Sequence, residues 1–104
     1  MIITQVRYTV KAEYAAQNQE HIRRVMEELR ARSRPDLTYS VFVEDDGKTF
    51  MHLRLCANEE ARKLFDTLES FQAFQRALAA SHPEVPPTTA TRLSLVGSTR
   101  DAFC

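Results

Sequence analysis

Several residue types that carry common chemistry are scarce in this 104-residue chain. Two glycines, Gly47 and Gly97, cannot form a glycine-rich phosphate loop of either common type. The two cysteines, Cys56 and Cys104, lack CxxC spacing and there is no tryptophan. Neither a disulfide framework nor a familiar zinc module is therefore expected. Fourteen basic and fourteen acidic residues cancel, so no strong electrostatic attraction draws the chain to nucleic acid or to membranes.

Long hydrophobic runs are also missing. No run approaches the roughly 20 apolar residues that cross a bilayer, and no signal-peptide pattern begins the chain. We therefore expect a cytoplasmic protein that binds neither nucleic acid nor membrane. The apolar share of 43% and the charged share of 27% are ordinary for a globular chain, and residues 1–104 suffice for a single domain. One subunit of this size leaves little room for a wholly buried active site, so oligomerisation would add a cavity wall.

The spacing of apolar residues predicts the element order βαββαβ. Residue types alternate with the two-residue period of a strand in four segments: 2–10, 37–44, 48–56 and 89–96. Helical spacing covers 14–32. Asn58 can cap the next helix, and two shorter helical stripes follow it, with a break near Ser70. Asp46-Gly47 predicts a two-residue hairpin turn, and 98–104 is a C-terminal tail. The predicted fold is α+β, a ferredoxin-like antiparallel four-stranded sheet with helices on one face.

The two faces of the predicted sheet differ in character. One face carries mostly Leu, Val, Ile, Met and Tyr, and we expect the helices to cover it. The other is predicted to carry Phe50, His52 and Arg54 together with smaller polar residues. Phenylalanines are unfavourable in open water and arginines in a dry core, so a semi-polar interface between two sheets suits both. A homodimer through this sheet face is the economical expectation.

Two longer segments bear a family resemblance. Pro35-Asp-Leu-Thr-Tyr39-Ser-Val-Phe and Phe65-Asp-Thr-Leu-Glu-Ser-Phe71-Gln-Ala-Phe74, with Phe50 and Ala57-Asn-Glu-Glu-Ala61, resemble the antibiotic biosynthesis monooxygenase-like family. The resemblance covers roughly 2–97. It implies a dimeric α+β barrel, in which two ferredoxin-like subunits place their sheets face to face. It also implies oxygenation of a small aromatic or quinol-like compound without a cofactor.

Three positions depart from the pattern of that family. The family commonly has Glu and Trp at the end of the third strand and His on the following helix. This chain has Arg54, Cys56 and Phe65 there. A haem-degrading activity is therefore not expected, and neither is any cofactor. Tyr39 does match the pattern.

His52 and Tyr39 are the candidate catalytic residues. His52 and Arg54 lie two apart on one strand, about 6.6 Å. An imidazole that titrates near neutrality, beside a fixed cation, could take a proton from a phenol and hold the resulting anion. The same two residues could instead belong to the dimer interface, paired with an acid such as Glu44.

A small apolar cavity beneath the helices is the candidate ligand site. Its expected ligand-binding residues are Tyr8, Arg54, Phe65 and Phe71; both tyrosines, Tyr8 and Tyr39, could equally be ordinary core residues. No metal site is expected, because His52 and Cys56 stand about 13 Å apart along a strand. Two alternatives stay open: a small-molecule-binding barrel without activity, and an RNA-recognition domain, which the aromatic pattern near Phe50 echoes faintly.

Overall fold

The computed structural model describes residues 1–99; Cys104 and the rest of 100–104, most of the predicted tail, lie outside that range. The elements are β1 (Ile2–Thr9), α1 (Ala15–Arg32), β2 (Leu37–Val43), β3 (Thr49–Cys56), α2 (Glu59–Thr67), α3 (Glu69–Ala80) and β4 (Thr91–Leu93), with a short 3₁₀ turn at Ala12–Tyr14. The predicted order is confirmed. The last strand is shorter than the predicted 89–96, because only three residue pairs join it to β1.

The four strands form one antiparallel sheet in the order β2-β3-β1-β4. β3 therefore lies between two partners, and His52 at its centre stands opposite Val6 on β1 and Val41 on β2. Residues directly opposite each other point to the same face of an antiparallel sheet. The helix-facing side of β1 and β2 thus fixes which side of β3 faces the helices.

The predicted facing of β3 is wrong. Phe50, His52 and Arg54 lie opposite Tyr8, Val6 and Thr4, and all of them point toward the helices rather than to the open face. Phe50 is 1% exposed and His52 7%. The open face instead receives the aliphatic residues of the same strand: Met51, Leu53 and Leu55. On β4, Leu93 stands opposite Ile3 on the open face, and Arg92 stands opposite Thr4 on the helix side.

The helices pack on this sheet through the stripes that the sequence indicates. Ile22 and Val25 of α1 are buried, as are Phe65 of α2 and Phe74 and Leu78 of α3. The Asn58 side chain caps α2 by accepting the Ala61 N–H at 2.9 Å. No helix within residues 1–99 is both long and apolar enough to cross a membrane.

The break between α2 and α3 falls at Leu68, two residues before the predicted position. Leu68 has extended backbone angles and a fully buried side chain, so it anchors the junction in the core. The first turn of α3 is held by α1: the N–H and the hydroxyl of Ser70 both donate to one carboxylate oxygen of Glu28. The carboxylate thus satisfies one of the free N–H groups at the start of α3.

Five residues, 44–48, connect β2 to β3, where the sequence predicted a two-residue turn. Gly47 donates to the Glu44 carbonyl at 2.9 Å, and of the loop residues only Gly47 has a positive φ, 75°. A type I′ turn would need positive φ at both central residues. The Asp46 carboxylate closes the loop by accepting from the N–H groups of Lys48 and Thr49 and from the Thr49 hydroxyl.

Candidate functional site

A cavity of about 210 Å³ lies between the helix-facing side of the sheet and the helices α2 and α3. All six candidate catalytic and ligand-binding residues predicted from the sequence line this cavity: Tyr8, Tyr39, His52, Arg54, Phe65 and Phe71. The volume exceeds the roughly 150 Å³ of a cavity that binds benzene and falls below the roughly 300 Å³ at which drug-sized pockets begin. It therefore suits a compound of one or two rings.

A chain of hydrogen bonds runs along one wall of the cavity. The Asn18 amide Nδ2 donates to the Tyr8 hydroxyl at 2.8 Å, and that hydroxyl lies 2.7 Å from Nε2 of His52. The other ring nitrogen, Nδ1, is hydrogen-bonded to the hydroxyl of Tyr39. Both nitrogens of the buried imidazole are thus satisfied by phenols. Four different elements supply this chain: α1, β1, β2 and β3.

Burial sets the protonation of the chain. It lowers the pKa of His52 to about 3, so the imidazole is neutral at neutral pH. Burial also raises the pKa of Tyr8, against a lowering by the Asn18 hydrogen bond. The pKa of Tyr39 is raised mainly by burial too, although Arg54 favours the charged form. The three side chains therefore stay uncharged and can exchange hydrogen-bond directions without creating a buried ion.

Arg54 supplies the positive charge of the site. Its Nη1 donates to Oδ1 of Asp66 at 3.0 Å, and its guanidinium carbon lies 4.9 Å above the ring of Phe65. Only 16% of its side chain is exposed, so the cation–π contact and the ion pair hold a largely desolvated guanidinium. The acid suggested for an interface pair, Glu44, instead binds Arg7 at 2.8 Å on the opposite side of the sheet. Arg54 is thus a cavity residue.

Aromatic rings form most of the apolar wall. The ring centroids of Phe65 and Phe71 lie 4.5 Å apart, and those of Phe71 and Phe74 lie 5.9 Å apart in a stacked arrangement. Tyr39 meets Phe65 edge to face at 4.8 Å. Such rings present flat apolar surfaces against which another ring can pack. An aromatic ligand is therefore a good match to the shape and polarity of the cavity.

Asn18 is the site residue that sequence reasoning missed. It is fully buried, although asparagine is mostly an exposed residue type. A signal was present: Asn18 stands four residues before Ile22 and seven before Val25, on the apolar stripe of the first helix. A polar amide at a core position of a helix indicates a buried partner.

The structure also bears on two other expectations. Phe50 and His52 are covered by helices, so they cannot act as the exposed aromatic platform of an RNA-recognition sheet. Within residues 1–99, no group of three or more His, Cys, Asp or Glu side chains is placed to hold a metal ion. Cys56 is fully buried and burial raises the pKa of its thiol, which agrees with a packing role.

Comparisons with known proteins place the fold. No protein-family model and no curated protein matches the chain, but solved structures do. An antibiotic biosynthesis monooxygenase superposes with a TM-score of 0.76 and 18% identity, over 93% of this chain and 100% of that one. Rv0793 from Mycobacterium tuberculosis gives 0.75 and 10%, over 95% and 98%. A variant of SnoaB from Streptomyces nogalater, a cofactor-independent oxygenase, gives 0.70 and 15%, over 94% and 95%.

At these identities the likeness establishes the fold. The chain has the ferredoxin-like α+β fold of antibiotic biosynthesis monooxygenase structures over nearly the whole of their length. The resemblance read from the sequence is confirmed at this level. What the cavity binds and whether it catalyses a reaction have to be argued from its own residues.

Proposed function

We propose that the protein binds a small phenolic or quinol-like compound in this cavity and oxygenates it without a cofactor. One observation carries the proposal: a buried neutral imidazole, bonded at both nitrogens to tyrosine hydroxyls, stands beside Arg54 in the wall of an aromatic cavity. The fold shared with a protein named as a cofactor-independent oxygenase supports the reaction class.

The cavity residues would bind the substrate as its anion. The ring would pack among Phe65, Phe71 and Phe74, with its oxygen near the Tyr39 hydroxyl and the Arg54 guanidinium. An ordinary phenol has a pKa of about 10, so ionising it at pH 7 costs about 4 kcal/mol. A charge 4 Å from Arg54 gains about 4 kcal/mol at an effective dielectric constant of 20. Arg54 can therefore offset part of this cost; its ion pair with Asp66 and the burial that raises the pKa of Tyr39 both act against a buried anion.

His52 takes a different part from the one suggested by the sequence. Moving the proton from a phenol to an imidazole whose pKa is about 3 costs about 10 kcal/mol, and places a second cation beside Arg54. Release of the proton to solvent is far cheaper. We therefore assign His52 as the positioning residue that holds Tyr39 and assign Tyr39 and Arg54 as the groups that contact the substrate.

The reaction needs only the substrate and molecular oxygen. The phenolate is electron-rich and transfers electrons to O₂, and a C–O bond forms at a ring carbon to give a peroxide. The peroxide takes up one proton. Loss of that ring carbon's hydrogen and cleavage of the O–O bond then release water and leave a quinone. The sum is one phenol and one O₂ giving one quinone and one water; the substrate supplies all the electrons.

Oxygen uptake tests this proposal. A panel of one- and two-ring phenols and quinols is screened with an oxygen electrode, and the quinone is followed by absorbance. We expect one O₂ consumed per quinone, with activity strongly reduced in Tyr39→Phe and in Arg54→Met. Tyr14→Phe is the matched control, because the Tyr14 hydroxyl is buried and has no hydrogen-bond partner in the described part of the chain, residues 1–99. Ligand binding without oxygen uptake would overturn the oxygenase assignment.

A second function is a binding module without activity, and one observation favours it. Both ring nitrogens of His52 are already hydrogen-bonded to tyrosine hydroxyls, and His52 is a weak base. Such a site recognises an oxygen atom without moving a proton. Thermal stabilisation by a phenol that is recovered unchanged after incubation in air would support this function.

We also propose a homodimer formed through the open face of the sheet. That face carries more apolar surface than the sequence suggested, because β3 turns its aliphatic residues outward and Phe42 is 54% exposed. Light scattering should give about 24 kDa, twice the 12.0 kDa of the chain. Leu53→Lys on the open face should lower the mass, whereas Gln17→Lys on exposed α1 should not. A wild-type mass of about 12 kDa would refute the dimer.

A further inference from the structure

The Asn18 side chain ends the hydrogen-bond chain, and its two polar atoms differ in their hydrogen bonding. Nδ2 donates to the Tyr8 hydroxyl at 2.8 Å, whereas Oδ1 is buried and has no hydrogen-bond partner within residues 1–99. Turning the amide over would leave the NH₂ group, with two donors, unpaired. Buried unpaired N–H groups are rarer than under-satisfied carbonyl oxygens. The donor orientation of Asn18 is therefore favoured by the hydrogen-bond inventory of the site.

This orientation fixes the direction of every later hydrogen bond. The Tyr8 hydroxyl accepts from Asn18, and donation of its own hydrogen to Nε2 of His52 is favoured, because accepting from both neighbours would leave that hydrogen buried without a partner. A neutral imidazole carries one hydrogen, which must then be on Nδ1. His52 thus donates from Nδ1 to the Tyr39 hydroxyl. Among residues 1–99 no further partner is recorded for that hydroxyl, which leaves its hydrogen for the cavity that Tyr39 lines.

We propose that Asn18 is a positioning residue that sets the direction of this chain, so that Tyr39 presents a hydrogen to the cavity. The site then takes a ligand with an acceptor oxygen, a phenolate or a carbonyl, next to Tyr39. The ligand class rests on the proposed function, because it requires that the cavity binds a ligand. The direction of the hydrogen-bond chain does not rest on the proposed function.

The His52 tautomer is a direct readout of this direction. Protein labelled with ¹⁵N-histidine is examined at pH 7 by NMR, through the couplings between ring nitrogens and ring hydrogens. The His52 signals are identified by their loss in His52→Gln, which separates them from His21 and His82. We expect hydrogen on Nδ1. Hydrogen on Nε2 in the wild type would overturn the proposal, because the chain would then run in the opposite direction.

Removing the amide tests the role of Asn18 itself. In Asn18→Leu, Tyr8 loses its fixed donor, so both directions become available and we expect both His52 tautomers to be populated. The matched control Tyr14→Phe, one helical turn away, should keep hydrogen on Nδ1. An unchanged pure Nδ1 tautomer in folded Asn18→Leu would refute the role of Asn18. If that variant fails to fold, the wild-type tautomer still decides the direction of the chain.

para-Nitrophenol, whose anion absorbs visible light, tests the ligand class. We expect it to bind as the anion, with affinity about 10-fold lower in Tyr39→Phe, the loss of one hydrogen bond to a charged acceptor. The affinity of Asn18→Leu for the anion should be several-fold lower, because only part of the variant population presents the Tyr39 hydrogen. Preferred binding of the neutral phenol would refute the acceptor preference. Failure of any phenol to bind would refute the proposed function and leave the tautomer result standing.

Discussion

Replacing Tyr8 by phenylalanine tests whether the hydrogen-bond chain stabilises the fold. Within residues 1–99, the hydroxyl of Tyr8 is the only hydrogen-bond partner of the Asn18 side-chain amide and of Nε2 of His52. Both of these groups are buried, and phenylalanine offers them nothing. A buried polar group left unpaired costs about 1–3 kcal/mol. Two such groups give an expected loss of about 2–6 kcal/mol from the free energy of unfolding, out of about 5–15 kcal/mol for a typical domain.

Tyr39→Phe is the matched comparison. Its hydroxyl has one recorded partner, His52, in a part-buried position, so we expect a loss of about 1 kcal/mol. Urea unfolding followed by circular dichroism gives both values. The double variant Tyr8→Phe with Asn18→Leu should cost less than the two single losses added together, since the amide is no longer left unpaired. Equal effects of Tyr8→Phe and Tyr39→Phe, or strict additivity in the double variant, would refute the reasoning.

Two further predictions concern charge. Because the pKa of His52 is lowered to about 3 in the folded protein and is about 6.5 in the unfolded chain, the unfolded chain binds the extra proton between these values. Stability should fall by about 3 kcal/mol more in the wild type than in His52→Gln as the pH drops from about 6.5 to 4; parallel urea curves for the two proteins would contradict this. Hydrogen bonds from Ser70 lower the pKa of Glu28, so Glu28→Ala should cost about 1 kcal/mol, and this cost should shrink as the pH falls below the usual carboxyl range. An undiminished cost at low pH in urea unfolding would show that Glu28 acts through packing.

The sequence predicts the fold of this protein better than it predicts the facing of one strand. The element order, the helical stripes and the cap at Asn58 depend on local spacing, and the structure confirms them. The facing of β3 depends on its partners. Its two sets of side chains, one containing His52 and the other Leu53, are both apolar enough to enter a core, so the two-residue period alone does not choose between them.

The signal that decides the facing of β3 lies in the hairpin. A turn around Asp46-Gly47 sets Val41 opposite His52, which is the register observed. Since Val41 belongs to the helix-facing side, so does His52. The direction of the hydrogen bonds beyond His52 lies outside any such pattern, because Asn18, Tyr8 and Tyr39 meet only after three elements have packed together.

The polar wall of the cavity comes mainly from the sheet, and much of its apolar wall comes from the helices. Most of its hydrogen-bonding and charged groups stand on strands (Tyr8, Tyr39, His52 and Arg54), with Asp66 of α2 beside them, whereas Phe71, Phe74, Gln75 and Leu78 come from α3. The strand residues are held together by the hydrogen-bonded register of the sheet, whereas α3 packs on the sheet and its neighbours through side-chain contacts such as that of Phe74 with His52. Substitution on α3 can therefore change the size of compound admitted while the polar wall stays intact. Among descendants of this sequence, the range of compounds that fit the cavity can thus change faster than the polar groups that contact them.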